Sequence, residues 1–203
     1  MNKLKIMHDA YQYANEKMSH NELFYHTIFH VDKMIKDLDE FCKTTELTDD
    51  EYFKLYVAIC FHDIVYEPGS YDNEKRSAEE FENRHYDLDK KTLEKIKNLI
   101  LSTQVVFFMD KNIKTDDTLE KIMHTLDWNG FVDYKTMTKN REKIFFEACA
   151  KNFEPITILE TQINFYYSIM RAMNKGYKID YFNEENNKKA YENLNTIVNV
   201  RTF

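Results

Sequence analysis

A chain of 203 residues with only three glycines and two prolines has few places to turn tightly. Most β architectures need a Gly, Pro or Asn-Gly turn about every 8–12 residues. Gly69, Gly130 and Gly176 are too few for that, and each falls between segments with helical apolar spacing. The expected fold is therefore all-α. The length suits a single helical bundle domain spanning 1–203 with one sizeable core.

Helical periodicity runs almost end to end. Leu4, Met7, Ala10, Tyr13 and Ala14 form a first stripe, and a break is expected at Ser19–Asn21. From Tyr25 onward, Ile28, Val31, Ile35 and Leu38 recur at helical spacing. Thr48 followed by Glu51 is a capping box. It opens a helix that is apolar nearly all round through Leu55–Phe61, as expected of an element buried on every side. That helix runs into His62-Asp63, followed by a loop over Tyr66–Asp72 and a helix from Asn73. Leu93, Ile96, Leu99 and Ile100 mark the next helix, and Leu119, Ile122, Met123 and Leu126 the one after it, up to a break at Asn129–Gly130. Arg141–Ala150, Ile156–Met173 and Glu184–Val200 read as the remaining helices.

The net charge of −7 argues against a general nucleic-acid binder, which carries a basic patch. It leaves room for a phosphate substrate, because a bound divalent cation can supply the local positive field. No apolar run approaches the ~20 residues of a membrane span, and the N-terminus lacks the apolar core and cleavage site of a signal peptide. Cys42, Cys60 and Cys149 are odd in number and unpaired in spacing, which points to reduced, packed thiols in a cytoplasmic setting.

Three elements carry chemistry. The first is His62-Asp63, a carboxylate at the end of the most apolar helix, where it is costly unless paired or bound to a metal. The second is His26 and His30, four apart, so that on a helix they share one face. Such a pair can chelate a metal or divide into ligand and acid/base. The third is Asp127, at the end of an amphipathic segment. Two imidazoles with two carboxylates suit Mn, Mg, Fe, Ni or Zn better than a soft, thiolate-loving metal, and no cysteine is placed to contribute. Taken singly, each element also has a plain reading as a hydrogen-bonded helix terminus, a coincidental histidine pair or a solvated helix end. The segments Gly-x-x-x-x-Gly-Lys-Ser/Thr, Gly-x-Gly-x-x-Gly and Gly-x-Ser-x-Gly are absent, so nucleotide-loop or serine-nucleophile chemistry has no visible support.

The order His … His-Asp … Asp on successive helices resembles the HD superfamily of metal-dependent phosphohydrolases. The stretch Phe61–Ala78 resembles the hallmark of a family of short bacterial HD-domain proteins, and the spacing of Phe182, Glu185, Ala190 and Asn193 resembles its C-terminal end. The segment Tyr25–Val31 is also similar to the Tyr-His-Asn-x-x-His segment of cyclic nucleotide phosphodiesterases. The resemblance implies a divalent metal held by His30, His62, Asp63 and Asp127, with His26 as proton donor. It also implies hydrolysis of a phosphoester, of a nucleotide or signalling nucleotide, in which Asp63 accepts the proton of the attacking water.

The chain departs from the family in one respect. A histidine common in the helix before the Asp127 segment is missing from Leu101–Phe108, which favours one tightly held ion, or a weaker second one. His124 is off the family position and is not counted as a ligand. Asp72, Glu74 and Arg76 are candidates for substrate positioning, against plain roles as a helix cap and solvated surface, and Lys75 reads the same way. His8, His20 and His85 read as surface residues. Two rivals stand beside the hydrolase: a non-catalytic nucleotide sensor using the same site, and a helical interaction protein with coincidental histidines. Self-association into a homo-oligomer is compatible with the sequence and not specified by it.

Overall fold

The computed structural model describes residues 2–19, 23–104 and 115–199. These residues form α-helices α1 (Lys3–Ser19), α2 (Ile28–Cys42), α3 (Asp49–Phe61), α4 (Asn73–Asn83), α5 (Lys90–Leu101), α6 (Thr118–Trp128), α7 (Tyr134–Ala150), α8 (Pro155–Asn174) and α9 (Glu184–Asn199). No strand occurs among them. His20, Asn21, residues 105–108 of the Leu101–Phe108 run and Val200 lie outside the described residues. The chain gathers into two compact units, Met1–Gln104 and Val105–Phe203.

In the first unit α3 is the central element, packing against α1, α2, α4 and α5. Its start is fixed by local chemistry. Thr48 Oγ1 accepts from the Glu51 N–H at 3.2 Å, and Glu51 Oε2 accepts from the Thr48 N–H at 2.9 Å. This reciprocal box satisfies two donors that a helix end leaves orphaned. Every residue from Val57 to Phe61 is buried, as an all-round apolar helix requires. α1 packs against α3 and α2 and buries Ile6, Ala10, Ala14 and Met18, a seam repeating every four residues. Leu4, expected in that stripe, is 77% exposed. The buried seam is offset from the expected stripe and shares Ala10 and Ala14 with it. α5 is capped by Asp89, which accepts from the Thr92 N–H at 2.9 Å, and it buries Ile96, Leu99 and Ile100.

The second unit is built on α7, α8 and α9, with α8 packing against both others. Its core holds Trp128, Met137, Tyr166, Ile169, Ala190 and Leu194. The break expected at Asn129–Gly130 is a single 3-10 turn over Asn129–Phe131. α7 begins at Tyr134, seven residues ahead of the expected Arg141, because Asp133 caps it by accepting from the Thr136 N–H at 2.8 Å. Gly176 ends α8 with φ of 93°. This left-handed position is open to glycine at no steric cost, and it lets the Tyr177 N–H reach the Ala172 carbonyl at 3.0 Å.

All three cysteines are free thiols, with Cys60 buried. No helix among the described residues is long and apolar enough to cross a membrane.

Candidate metal centre

The buried end of α3 delivers the central ligand candidate. His62 occupies the C-cap in right-handed helical geometry and is 1% exposed. Its Nδ1 lies 2.9 Å from the Ile59 carbonyl oxygen. A carbonyl only accepts, so Nδ1 carries the proton and donates it. The other nitrogen, Nε2, offers a lone pair when the ring is neutral and donates to Asp63 when the ring is protonated. Metal-ligating histidines are typically oriented by such a bond from the opposite ring nitrogen.

That nitrogen faces two further groups. His62 Nε2 is 2.9 Å from Asp63 Oδ2 and 3.3 Å from His30 Nε2, and His30 Nε2 is 3.7 Å from Asp63 Oδ2. A point roughly 1.9 Å from all three atoms exists in their plane, and points about 2.0–2.2 Å from each lie just off it. Those are the bond lengths of nitrogen and oxygen donors to a zinc-like ion. His30 and His62 belong to a His/Asp group that can hold a metal, and Asp63 stands beside both. Burial pushes the Asp63 carboxyl upward, but the facing His62, His26 and His30 rings outweigh it and hold the group well below the usual carboxylate range.

His30 reaches this point from the first turn of α2, where its N–H donates to the Thr27 carbonyl at 2.9 Å. His26 does not share that helix. α2 begins at Ile28, after an extended Thr27 at its N-cap, so the shared helical face expected for His26 and His30 is corrected. His26 lies at the apex of a γ-turn in which the Thr27 N–H donates to the Tyr25 carbonyl at 2.8 Å. It is nonetheless buried and near Asp63. Tertiary packing replaces helical periodicity as the reason it comes close to that carboxylate.

The loop after His62-Asp63 is tied to α4 by two side chains. Ser77 Oγ accepts from the Val65 N–H at 3.1 Å and donates to the Val65 carbonyl at 3.3 Å. Asn73 Oδ1 accepts from the Glu67 N–H at 3.0 Å while its Nδ2 donates to the Glu67 carbonyl at 3.1 Å. Both side chains are buried, and the sequence singles out neither of them as a tie for the loop. Their signal was present: a buried-type polar residue at a fixed offset from a turn has a backbone group to satisfy.

The expected substrate-side residues sit at the rim of this loop. Asp72 is exposed and holds the N-cap position of α4 without a side-chain cap bond; it accepts from Ser70 Oγ at 2.6 Å. Glu74 is half-buried in the first turn of α4. Arg76 pairs with Glu67 at 2.9 Å and stands 3.9 Å from Asp72. Lys75 is exposed and 3.8 Å from Glu79. His8 and His85 are exposed as expected.

In the second unit, Asp127 is half-buried at the penultimate position of α6, between buried Leu126 and Trp128. His124, one turn earlier, is buried and lies 3.1 Å from the Lys178 carbonyl and 2.9 Å from the Tyr177 hydroxyl through Nε2. Its ring stacks on Trp128, centroids 5.2 Å apart. Burial pushes the His124 imidazole down to about 4, against the opposing pull of the Asp127 charge, the Lys178 carbonyl and Asp180. It is a neutral core histidine.

No family model matches the chain, no curated protein matches its sequence, and no solved structure matches its fold.

Proposed function

We propose that this protein is a metal-dependent phosphohydrolase acting on a small phosphoester, with a nucleotide or signalling nucleotide as the substrate class. His30, His62 and Asp63 hold the divalent cation, and Asp127 is the fourth ligand, assigned from its place in the His … His-Asp … Asp order. The observation that carries the reading is the triangle of His30 Nε2, His62 Nε2 and Asp63 Oδ2, with the His62 ring oriented by its Nδ1 bond to Ile59 so that Nε2 faces the other two. When bound, a divalent cation polarises a phosphoryl oxygen and brings the pKa of a coordinated water toward neutrality.

The chain's own residues divide the remaining work. Asp63 accepts the proton lost by the attacking water. His26, buried beside Asp63 but four residues before the His30 ligand, protonates the leaving oxygen, a role worth about 10²–10⁴-fold. Arg76 exchanges its Glu67 partner for substrate phosphate at the loop rim, with Asp72 and Glu74 orienting the rest of the molecule.

The test is a phosphoester panel offered to purified protein loaded separately with Mn²⁺, Mg²⁺, Fe²⁺, Ni²⁺ and Zn²⁺. Turnover that depends on the ion and is lost in His62→Ala supports the reading. Nucleotide binding without turnover under every ion would replace it with the sensor. A protein that takes up no ion would reject both.

A further inference from the structure

The hydrolytic reading gives no task to Tyr66, although it sits inside the most distinctive stretch of the sequence. Its ring lies face to face with the His26 imidazole, with centroids 3.3 Å apart and planes 17° from parallel. Tyr25 meets the same imidazole edge-on, at 4.8 Å and 87°. Two aromatic rings therefore contact the His26 imidazole, one on its face and one edge-on.

His26 needs such contacts because its backbone supplies little restraint. It sits at a γ-turn ahead of α2, where no preceding helical turn limits its rotamers. Tyr66, by contrast, is held on both sides. The residue before it, Val65, has both backbone groups bound to Ser77. The residue after it, Glu67, has both bound to Asn73. Both clamps come from α4, so that helix sets where the tyrosine ring stands.

We propose that Tyr66 is a positioning residue for His26. Pinned through Ser77 and Asn73, its ring holds the imidazole in the plane from which it delivers a proton to the leaving oxygen. This rests on the proton-donor role proposed for His26. It gives the Val65–Ser77 stretch a mechanical purpose distinct from contact with substrate.

The experiment compares wild type, Tyr66→Phe, Tyr66→Leu, His26→Ala and the His26→Ala/Tyr66→Leu double variant. Each is assayed for bound Zn²⁺ and for kcat on two probes: a nucleoside 5′-monophosphate, with an alkoxide leaving group, and a nitrophenyl phosphoester, whose leaving group needs no proton. Tyr66→Leu is expected to keep its metal and lose about tenfold or more on the nucleotide, as displaced catalytic groups do. It should lose less than about threefold on the nitrophenyl ester, since only the step needing a general acid suffers. Tyr66→Phe, which keeps the stack, should restore the rate. In the His26→Ala background Tyr66→Leu should add nothing further.

A second arm needs no turnover. In protein carrying ¹³C-labelled histidine, the His26 ring C–H signals should be shifted upfield by the tyrosine face in wild type and Tyr66→Phe, and should relax in Tyr66→Leu. Should Tyr66→Leu fail to fold, Asn73→Ala, which releases one clamp, carries the same readouts. Equal loss on both probes, loss of metal, failure of phenylalanine to rescue, additivity with His26→Ala, or unmoved ring signals would each overturn the proposal. If wild type hydrolyses neither probe, the hydrolase reading fails on its own, and the ring signals still decide whether Tyr66 orients His26.

Discussion

His62 Nε2 stands 3.3 Å from His30 Nε2 although the residues are 32 apart in sequence. Nδ1 of His62 is committed to the Ile59 carbonyl, so Nε2 is the nitrogen turned toward His30 and toward Asp63 Oδ2, 2.9 Å away. A proton on either facing nitrogen or a shared cation can bridge the three. The proposed cation sets the first prediction.

Divalent ions should stabilise the fold through these residues. An ion at 100 times its dissociation constant adds about 2.7 kcal/mol, read as a rise in melting temperature on titration. His30→Ala and His62→Ala should abolish the rise. Asp127→Ala should weaken binding at least about tenfold if it is the fourth ligand, and should leave the ion response intact if it is not. A wild-type response surviving in His62→Ala would remove the metal centre altogether.

His26 and His30 should separate in their effects. His30→Ala is expected to lose metal and activity together. His26→Ala should retain metal and lose about 10²–10⁴-fold on esters with poor leaving groups, with much less loss on a nitrophenyl ester. Metal content and turnover of the two variants check this. Loss of metal in His26→Ala alone would reverse the two assignments.

Acid should destabilise the second unit through His124. Its folded value of about 4 lies below the ordinary 6.5 because burial penalises the charged form. Below pH 6.5 the unfolded chain therefore takes up a proton that the folded chain refuses. Stability is full above 6.5, falls as the pH drops from there, and levels off near 4. The total is on the order of 3 kcal/mol. Trp128 is the single tryptophan and stacks on His124, so its fluorescence in urea titrations at successive pH values reports the loss. His124→Gln should flatten the slope in that window, and an unchanged slope would rule His124 out as its source.

Removing the loop clamp should cost stability without touching the ligands. Ser77→Ala leaves both Val65 backbone groups without their side-chain partner, a penalty of about 1–3 kcal/mol where water cannot replace it. Ion affinity should stay within about threefold of wild type, since Ser77 bonds the backbone of Val65. Urea unfolding and ion titration of the same variant test the two halves separately.

The helical class, the start of α3 and the buried character of that helix are written locally, in the scarcity of Gly and Pro, the Thr48–Glu51 box and an all-apolar run. Such features depend on residues three or four apart, and the chain states them directly. His26, His30, His62, Asp63 and Asp127 stand out as candidates in the same local way, because such residue types beside apolar segments are unusual, but that reading names candidates and assigns them no task. What no local rule supplies is how distant elements meet. The γ-turn that takes His26 off α2, the stack of Tyr66 upon it, and the exposure of Leu4 all follow from how elements pack in the first unit. The commitment of His62 Nδ1 to Ile59 is itself local, yet it acquires meaning only when α2 brings His30 to the opposite nitrogen. Backbone propensity acts over one turn of helix, while a donor triangle closes across 32 residues of chain, and only packing around α3 decides that distance.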